Sequence, residues 1–473
     1  MPKKKILLVN PPRINDMPVI REDRCEIIDR NSVLQPYSLL QLGSILRDQG
    51  HVVKLIDANG FNLSYEDINR SVQGFDVLIF RFTPTTFKND TKICDIYKKK
   101  NNGTSIGISY TLDSVARDVL KRVKNMDIFV GKNSLSIIPD LINNIDNLSN
   151  VPGITYKKNN TIIRTQQFKD HSISMDFPMP AFDLLASFEP YYINTNVGKS
   201  FSIVYSSQGC PFLCKYCTVA NSPLKIKPAS KVIDEIRFLK RNYNIELISF
   251  FDETFTINRK RVIKICEEIK KLNIKWYCNT RATLLDKKLL GLMKKAGCDG
   301  ISLGIESGSQ KILDNVSKGI KVQEQKNGIN LVKKAGIKVY CSFIFGLPGE
   351  TKETIEETIN FLKETLPTSA QFNIAVPYPG TELHHTAEKN GWLKNKEWED
   401  FYQDEISMIP GSLTPEDLIS ARKRAYKTLY FNPRWIFQNV IFVIKNPADF
   451  KLALYYSFKI FKNYLIHGMK HAQ

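Results

Sequence analysis

Residues 201–217, FSIVYSSQGCPFLCKYC, hold the strongest single signal in this sequence. An apolar stretch with the character of a buried strand runs directly into a turn-forming segment that contains Cys210, Cys214 and Cys217. The whole chain has only nine cysteines in 473 residues. Because a disulfide framework needs an even number of cysteines and a structural zinc site needs four ligands, three thiolates here indicate a metal centre one protein ligand short.

The same spacing has a second interpretation, in which the three cysteines share one helix face and fill a core. Gly209 and Pro211 discourage a helix at this place, and the flanking polar residues would make a poor core. We therefore predict that the three thiolates hold an iron–sulfur cluster. On a four-iron cluster, three thiolates leave one iron open to a ligand that the protein does not supply.

The segment after the cysteines alternates strand patterns with helix patterns as far as residue 376. Strands are predicted at 201–207, 246–251, 275–279, 299–304, 337–344 and 371–376. Six strand–helix units in sequence predict a partial parallel barrel, a (β/α)6 arrangement. In parallel barrels the chemistry lies in the loops at the carboxyl ends of the strands, which is where the cysteines fall.

The segment before the cysteines predicts a separate α/β unit. Strands at 5–9, 52–57, 76–80, 105–109 and 127–131 alternate with helices, which is typical of a doubly wound parallel sheet. VPGITYKKNNTIIRT, from residue 151, resembles a β-hairpin. We predict a sheet domain over 1–150, a linker over 151–198, the barrel over 199–385 and a helical C-terminal domain over 386–473.

Composition narrows the class of protein. Apolar residues make up 42% of the chain, which excludes global disorder. The net charge of +19 suits nucleic acid or an anionic membrane surface, but no arginine-rich block with interleaved aromatics appears, so solvated faces are favoured over nucleic acid. The first apolar run is too short for a signal peptide, and the other cysteines are scattered, so we expect a cytoplasmic protein.

The cysteine motif carries a family resemblance. Cys-x-x-x-Cys-x-aromatic-Cys, with Tyr216 before the last cysteine, resembles the signature of the radical S-adenosylmethionine (SAM) superfamily. The resemblance implies a [4Fe–4S] cluster on Cys210, Cys214 and Cys217, whose open iron chelates the amino and carboxylate groups of SAM. It implies that the reduced cluster cleaves SAM to methionine and a 5′-deoxyadenosyl radical, with an external electron donor of the flavodoxin or ferredoxin type.

Three further motifs follow in the order that this family shows, at FFDETF (250–255), NTRATLLD (279–286) and GISLGIESGS (300–309). Each also has a plainer interpretation: a helix N-cap, a surface arginine and a capped turn. The resemblance assigns the SAM ammonium to Asp252 or Glu253, the SAM carboxylate to Arg281, and the ribose and carboxylate to Glu306 and Ser307. The predicted cofactor-binding residues are therefore Tyr216, Asp252, Glu253, Arg281, Glu306 and Ser307.

Stretches outside the barrel narrow the resemblance. ILLVNPP, LGSILRDQGHVVKLIDA, VPGITY and RKRAYKTLYFNPRWIF are similar to the cobalamin-binding radical SAM group, which includes class B methyltransferases, hopanoid methylases and the anaerobic magnesium-protoporphyrin cyclase. This resemblance implies cobalamin between the sheet domain and the barrel mouth. It also implies a C-methyltransferase that acts on an unactivated carbon of a small-molecule or lipid-like substrate.

Two departures keep an alternative open. The Asp-x-His-x-x-Gly loop of classical cobalamin proteins is absent, and His51, the only histidine of the first 150 residues, reads as a turn residue. FRFTPTTF (80–87) is only partly like the relatives' loop, and ISYTLDS (108–114) and GKNS (131–134) stand where relatives often have Gly-Gly-x-His and Gly-Glu-Gly-Glu. The alternative is a radical SAM oxidoreductase, cyclase or rearrangement enzyme whose first domain does not bind cobalamin.

The aromatic and basic tail has two possible roles. Residues 434–444 and 450–466 predict amphipathic helices. Docking of these helices on the barrel is favoured, and contact with a membrane surface or a lipid-like substrate is the alternative. A non-catalytic RNA- or membrane-binding protein would leave the ordered SAM motifs unexplained.

Overall fold

In the computed structural model the chain forms two parallel sheets, one after the other along the sequence. The structure describes residues 2–22, 25–28, 32–159, 161–169, 174–193, 199–394, 397–402 and 405–445. The predicted helix at 450–466 lies outside the described residues.

The first part of the chain builds a seven-stranded sheet with helices on both faces. Its elements are β1 (Lys5–Asn10), β2 (Val19–Glu22), β3 (Cys25–Ile28), α1 (Tyr37–Asp48), β4 (Val52–Asp57), α2 (Tyr65–Ser71), β5 (Val77–Arg81), α3 (Phe87–Asp90), α4 (Lys92–Lys98), β6 (Thr104–Ile108), α5 (Ala116–Arg122), β7 (Ile128–Val130), α6 (Ser134–Asn143), β8 (Ile154–Lys158) and β9 (Thr161–Arg164). The strand order of the seven-stranded sheet is β4-β1-β5-β6-β7-β8-β9, and β2 and β3 pair with each other outside it.

The doubly wound architecture is confirmed. The strands from β4 to β7 in this order run parallel. In β1, Ile6 and Leu8 join the core beneath α1 and α6, whereas Leu7 and Val9 join the core beneath α2, α4 and α5. A strand that buries both faces must be apolar at every buried position, which is why ILLV (6–9) has no alternation. The predicted hairpin is also confirmed: β8 and β9 pair antiparallel, and β8 continues the sheet beyond β7.

The second part builds a six-stranded parallel sheet in the order of the sequence. Its elements are β10 (Phe201–Val204), β11 (Ser207–Gln208), β12 (Lys225–Ile226), α7 (Ala229–Tyr243), β13 (Leu247–Phe250), α8 (Arg259–Ile269), β14 (Lys275–Thr280), α9 (Lys287–Lys295), β15 (Cys298–Glu306), α10 (Gln310–Asn315), α11 (Val322–Lys334), β16 (Lys338–Phe345), α12 (Lys352–Thr365), β17 (Ser369–Ile374) and α13 (Glu382–Lys389). The order β10-β13-β14-β15-β16-β17 is the predicted partial barrel.

A side chain from the first part of the chain forms hydrogen bonds to β10, the edge strand of this barrel. Gln35 Nε2 donates to the carbonyl of Phe201 at 2.8 Å, and Gln35 Oε1 accepts from the amide of Ile203 at 3.2 Å. One buried amide side chain thus pairs with the edge strand β10 as a neighbouring strand would. The apolar core beneath α1 and α6 continues without interruption into the helices of the barrel.

Two helices close the described chain, α14 (Pro415–Tyr430) and α15 (Pro433–Lys445). Helix α14 packs on α12 and β17. Helix α15 is fastened by Trp435, whose Nε1 donates to the carbonyl of Pro367 at 2.9 Å. None of the helices in the described ranges has the length and apolar character needed to cross a membrane. The division of the chain into four domains stays a prediction.

Candidate active site

The three cysteines lie on one closed loop at the carboxyl end of β10. The short strands β11 and β12 pair antiparallel at the base of this loop. Inside it, the amide of Ser222 donates to the carbonyl of Cys210 at 2.9 Å, and the amide of Cys217 to that of Cys214 at 3.0 Å. Gly209 has a φ of +89°, and a Cβ there would lie 2.0 Å from the carbonyl oxygen of Pro223, so only glycine fits.

All three cysteines are free thiols, Cys214 buried and Cys210 and Cys217 half-buried. Burial raises the pKa of Cys210, and it raises the pKa of Cys217 to about 12. The charge of a neighbouring thiolate raises both values further, so the three groups lie close together. Three crowded thiolates need positive charge beside them, which a bound metal centre provides.

Arg281, which follows β14, points at the cysteine loop. Its Nη1 lies 3.8 Å from Cys214 Sγ, and its guanidinium carbon lies 3.8 Å from the centre of the Phe212 ring. Its Nη2 donates to the carbonyls of Lys318 and Gly319. Arg281 is buried, so the interpretation as a surface arginine is wrong. The guanidinium is a fixed positive charge at the barrel mouth.

Glu306 belongs to a buried charged cluster on the other side of the loop. It ends β15 with a φ of +67°, and its Oε1 lies 2.8 Å from Lys318 Nζ. Lys318 Nζ also donates to Tyr216 Oη, on the cysteine loop, at 3.1 Å. Sequence reasoning missed Lys318. The signal was the SKG turn (317–319), where Ser317 and Gly319 both take a positive φ and turn the chain back toward the barrel mouth.

The two neighbouring acids after β13 differ in their surroundings. Asp252 is fully buried, and its carboxylate accepts from the amide of Ser206 at 2.7 Å and from the hydroxyls of Ser206 and Ser207 at 2.6 Å each. Arg261 lies 3.5 Å from it. Glu253 is half-buried, and its charge is among the causes that raise the pKa of Cys210. Asp252 therefore ties the framework together, and Glu253 is the one of the two acids whose charge acts on Cys210.

Ser307 also belongs to the framework. It is fully buried, its hydroxyl lies 3.1 Å from that of Thr358 on α12, and it accepts from the amide of Ser309 at 3.1 Å. The structure thus brings together Tyr216, Glu253, Arg281 and Glu306 around the cysteine loop and adds Lys318. It places Asp252 and Ser307 behind them.

His51 does not lie in the loops of the first sheet that face the barrel. It precedes β4, at the amino edge of the sheet, where its Nδ1 accepts from the amide of Lys4 at 3.3 Å. The loops that face the barrel are at the opposite edge. There Ser114 Oγ lies 2.6 Å from where a Cβ of Gly380 would be, and Lys225 Nζ donates to Asn133 Oδ1 at 3.2 Å.

Comparison with known proteins agrees with this geometry. A family model described as the radical SAM superfamily matches residues 204–362. An uncharacterised methyltransferase of Pyrococcus horikoshii is 30% identical over 441 residues, which cover 89% of this chain and 94% of that protein. The anaerobic magnesium-protoporphyrin IX monomethyl ester cyclase of Rubrivivax gelatinosus is 37% identical over 198 residues, 41% of this chain and 36% of that enzyme.

Among solved structures, the cobalamin-dependent SAM radical enzyme OxsB, with aqua-cobalamin and SAM bound, superimposes with a TM-score of 0.70. The match covers 99% of this chain and 76% of that chain at 17% identity, so it speaks for the fold. The chain therefore belongs to the radical SAM superfamily, and it shares with OxsB a fold in which a sheet domain precedes the barrel.

Proposed function

We propose that this protein is a cobalamin-dependent radical SAM methyltransferase that methylates an unactivated carbon of a small-molecule or lipid-like substrate. The observation that carries the proposal is the loop with three free thiols, ringed by Arg281, Lys318, Glu253 and Glu306 at the barrel mouth. The similarity to a methyltransferase over 89% of the chain supports the reaction class.

The residues present fit a [4Fe–4S] cluster and SAM. Three thiols from one loop are the donor set that leaves one iron free for a second ligand. The site holds charges of both signs, with carboxylates at Glu253 and Glu306 and cations at Arg281 and Lys318. This combination complements the ammonium and carboxylate of SAM.

The carboxyl edge of the first sheet fits cobalamin without a histidine ligand. The loops after β5 and β6 carry the hydroxyl groups of Thr83, Ser109 and Thr111, and groups of this kind can bond to the amides and phosphate of such a cofactor. No histidine of the described residues lies in these loops, and His51 is at the opposite edge. If cobalamin binds here, these loops would hold it without a histidine side chain.

When bound, the cluster and SAM supply a carbon-centred radical by one-electron cleavage of SAM, and cobalamin supplies the methyl group. The chain's own part is to hold and orient these groups. Cys210, Cys214 and Cys217 would hold the cluster. Glu253 would take the SAM ammonium, Arg281 and Lys318 would take its carboxylate, and Glu306 would take the ribose. Asp252 and Ser307 hold the strand ends that carry these residues.

The remaining partners follow from the reaction class. Cleavage of SAM by a cluster needs a reductant, and we propose a flavodoxin- or ferredoxin-type donor in the cytoplasm. Nucleic acid is not favoured as a partner.

The test begins with Cys214→Ala, with Cys341→Ala as its matched control. Cys341 is also buried, but it lies on β16 in the apolar core, and this strand packs against α11 and α14. We expect Cys214→Ala to lose the cluster iron and SAM cleavage by a factor of at least about 10³, whereas Cys341→Ala keeps both. A Cys214→Ala protein that cleaves SAM at the original rate would show that these thiols do not hold the cluster.

Corrinoid content then decides the reaction class. The chain is expressed anaerobically with cobalamin uptake and purified with its cluster, and corrinoid is extracted and quantified. We expect about one corrinoid per chain, in line with one site per sheet domain. A second candidate, supported by the missing histidine and by the identity to the cyclase, is a radical SAM oxidoreductase, cyclase or rearrangement enzyme without cobalamin. No corrinoid in a protein that still cleaves SAM would favour it.

A further inference from the structure

Helix α15 has an apolar face that no other part of the described chain covers. Ten large hydrophobic side chains of the described residues are exposed, and five of them lie between residues 431 and 444. Contiguous exposure of this kind is rare on a soluble protein and marks an interaction surface. The five are Phe431 (46% exposed), Ile436 (47%), Phe437 (66%), Val440 (51%) and Ile444 (70%). We call the last four the α15 stripe.

The stripe points away from the barrel because the opposite side of the helix is fastened. The Trp435 ring packs edge-on against Tyr430, with 5.0 Å between ring centres, and its Nε1 bonds to the carbonyl of Pro367. Lys333 of α11 donates to Gln438 Oε1 at 3.3 Å. Positions 436, 440 and 444 recur at helical spacing, so the exposed side chains form one continuous band.

The same end of the chain holds about half of the protein's net charge. Residues 420–473 carry ten lysines and arginines against a single aspartate, a net +9 of the chain's +19. Lys423 and Lys427 are exposed on α14, and Arg434 is exposed on α15 two residues before the stripe begins. An apolar band bordered by positive charge is complementary to an anionic lipid surface.

We propose that the α15 stripe and the bordering basic residues dock this protein on an anionic membrane surface, with α15 lying in the plane of the interface. Three other occupants of the stripe are less favourable: a second copy of the chain, residues 446–473, and single-stranded nucleic acid. A second copy would bring +9 against +9, and residues 446–473 carry a net +3 of their own. Single-stranded nucleic acid binds through stacking rings, whereas three of the four stripe residues are aliphatic. The proposal goes beyond the proposed reaction and does not depend on it.

The test is anaerobic co-sedimentation of the full chain, with its cluster, with two sets of vesicles. One set is phosphatidylcholine alone, and the other is phosphatidylcholine with an equal part of phosphatidylglycerol. We expect binding to the second set, released by salt. The double variant Phe437→Asp/Ile444→Asp should bind at least about tenfold more weakly, because it loses apolar burial and gains repulsion. Met179→Asp is the control, since Met179 is also apolar and exposed (39%) but lies outside the stripe.

Each outcome decides the proposal. Unchanged thermal unfolding of the double variant shows that weaker binding is not a loss of fold. Failure of the original protein to bind phosphatidylglycerol vesicles would overturn the proposal, and so would equal binding by the double variant. The oligomeric state is measured by size-exclusion chromatography with light scattering. If the original protein were a dimer and the double variant a monomer, a second copy would cover the stripe, and the proposal would likewise be overturned.

Discussion

Asp252 and Glu253 are neighbours in the chain, and we expect substitutions of them to have different effects, on stability and on SAM binding. Asp252 is fully buried, accepts three hydrogen bonds and lies beside Arg261, so Asp252→Asn leaves a buried cation uncompensated. We expect it to lower the free energy of unfolding by about 3–5 kcal/mol. Glu253→Gln should leave stability unchanged and raise the KM for SAM by about tenfold or more, because it removes one charged hydrogen-bond acceptor.

Urea unfolding of both variants, with KM for SAM from the rate of SAM cleavage, separates the two roles. Iron content is measured alongside to confirm that each variant keeps its cluster. If Asp252→Asn were stable but had a raised KM for SAM, Asp252 would bind SAM and would not be the residue that stabilises the fold.

At the residue scale, the sequence predicts a site most directly where the chemistry is local. The three cysteines lie within one loop, so their spacing alone indicated a shared site. The choice between Asp252 and Glu253 depends on Ser206, Ser207 and Arg261, which only the fold brings to Asp252. Lys318 escaped notice for the same reason, since its partners Glu306 and Tyr216 belong to a strand end and to the cysteine loop.

At the scale of elements, the GLPGET turn between β16 and α12 holds a carboxyl group in an apolar environment. Glu350 is buried, it accepts from the amide of Gly346, and burial raises its pKa from an ordinary 4.5 to about 8. A raised carboxyl pKa stabilises the fold below pH 4.5, and this stabilisation is lost as the pH rises through 8. The loss is roughly 3–5 kcal/mol over that window, and Glu350→Gln should abolish it.

Thermal unfolding measured across this pH window tests whether the Glu350 carboxyl causes the predicted loss of stability. The control is Glu353→Gln, three residues on, because Glu353 is exposed and Thr351 holds its pKa below the usual value. The control should keep the slope of the original protein, and Glu350→Gln should flatten it. A parallel pH profile for Glu350→Gln would mean that another group produces the slope.

The elements themselves followed from periodicity, because buried parallel strands are apolar throughout and amphipathic helices are not. What periodicity does not contain is which edges meet. Nothing local in VPGITYKKNNTIIRT says that its hairpin continues the first sheet, and nothing local in Gln35 says that it pairs with β10. These are long-range pairings, decided by the packing of the two parts on each other.

At the scale of the whole molecule, one buried polar network joins the first sheet domain to the barrel. Tyr37 of α1 donates to Glu235 of α7 at 2.8 Å, and Lys227 Nζ lies 2.7 Å from Glu235 and 2.8 Å from Tyr37 Oη. Both charged side chains are almost fully enclosed. Since the apolar core around them spans both parts, we expect the described chain to unfold in a single transition.

A double-mutant cycle tests how this network holds the two parts together. Lys227→Met alone leaves the Glu235 carboxylate buried without its cation and should lower the free energy of unfolding by about 3–5 kcal/mol. Lys227→Met/Glu235→Leu removes both charges and should be more stable than either single variant, because an apolar pair of similar volume needs no compensation. The control pair is Lys326 and Glu364, a partly exposed ion pair whose removal should change stability by less than about 1 kcal/mol. If the double variant instead lost as much as the two single variants combined, Lys227 and Glu235 would act independently, and the apolar core alone would join the domains.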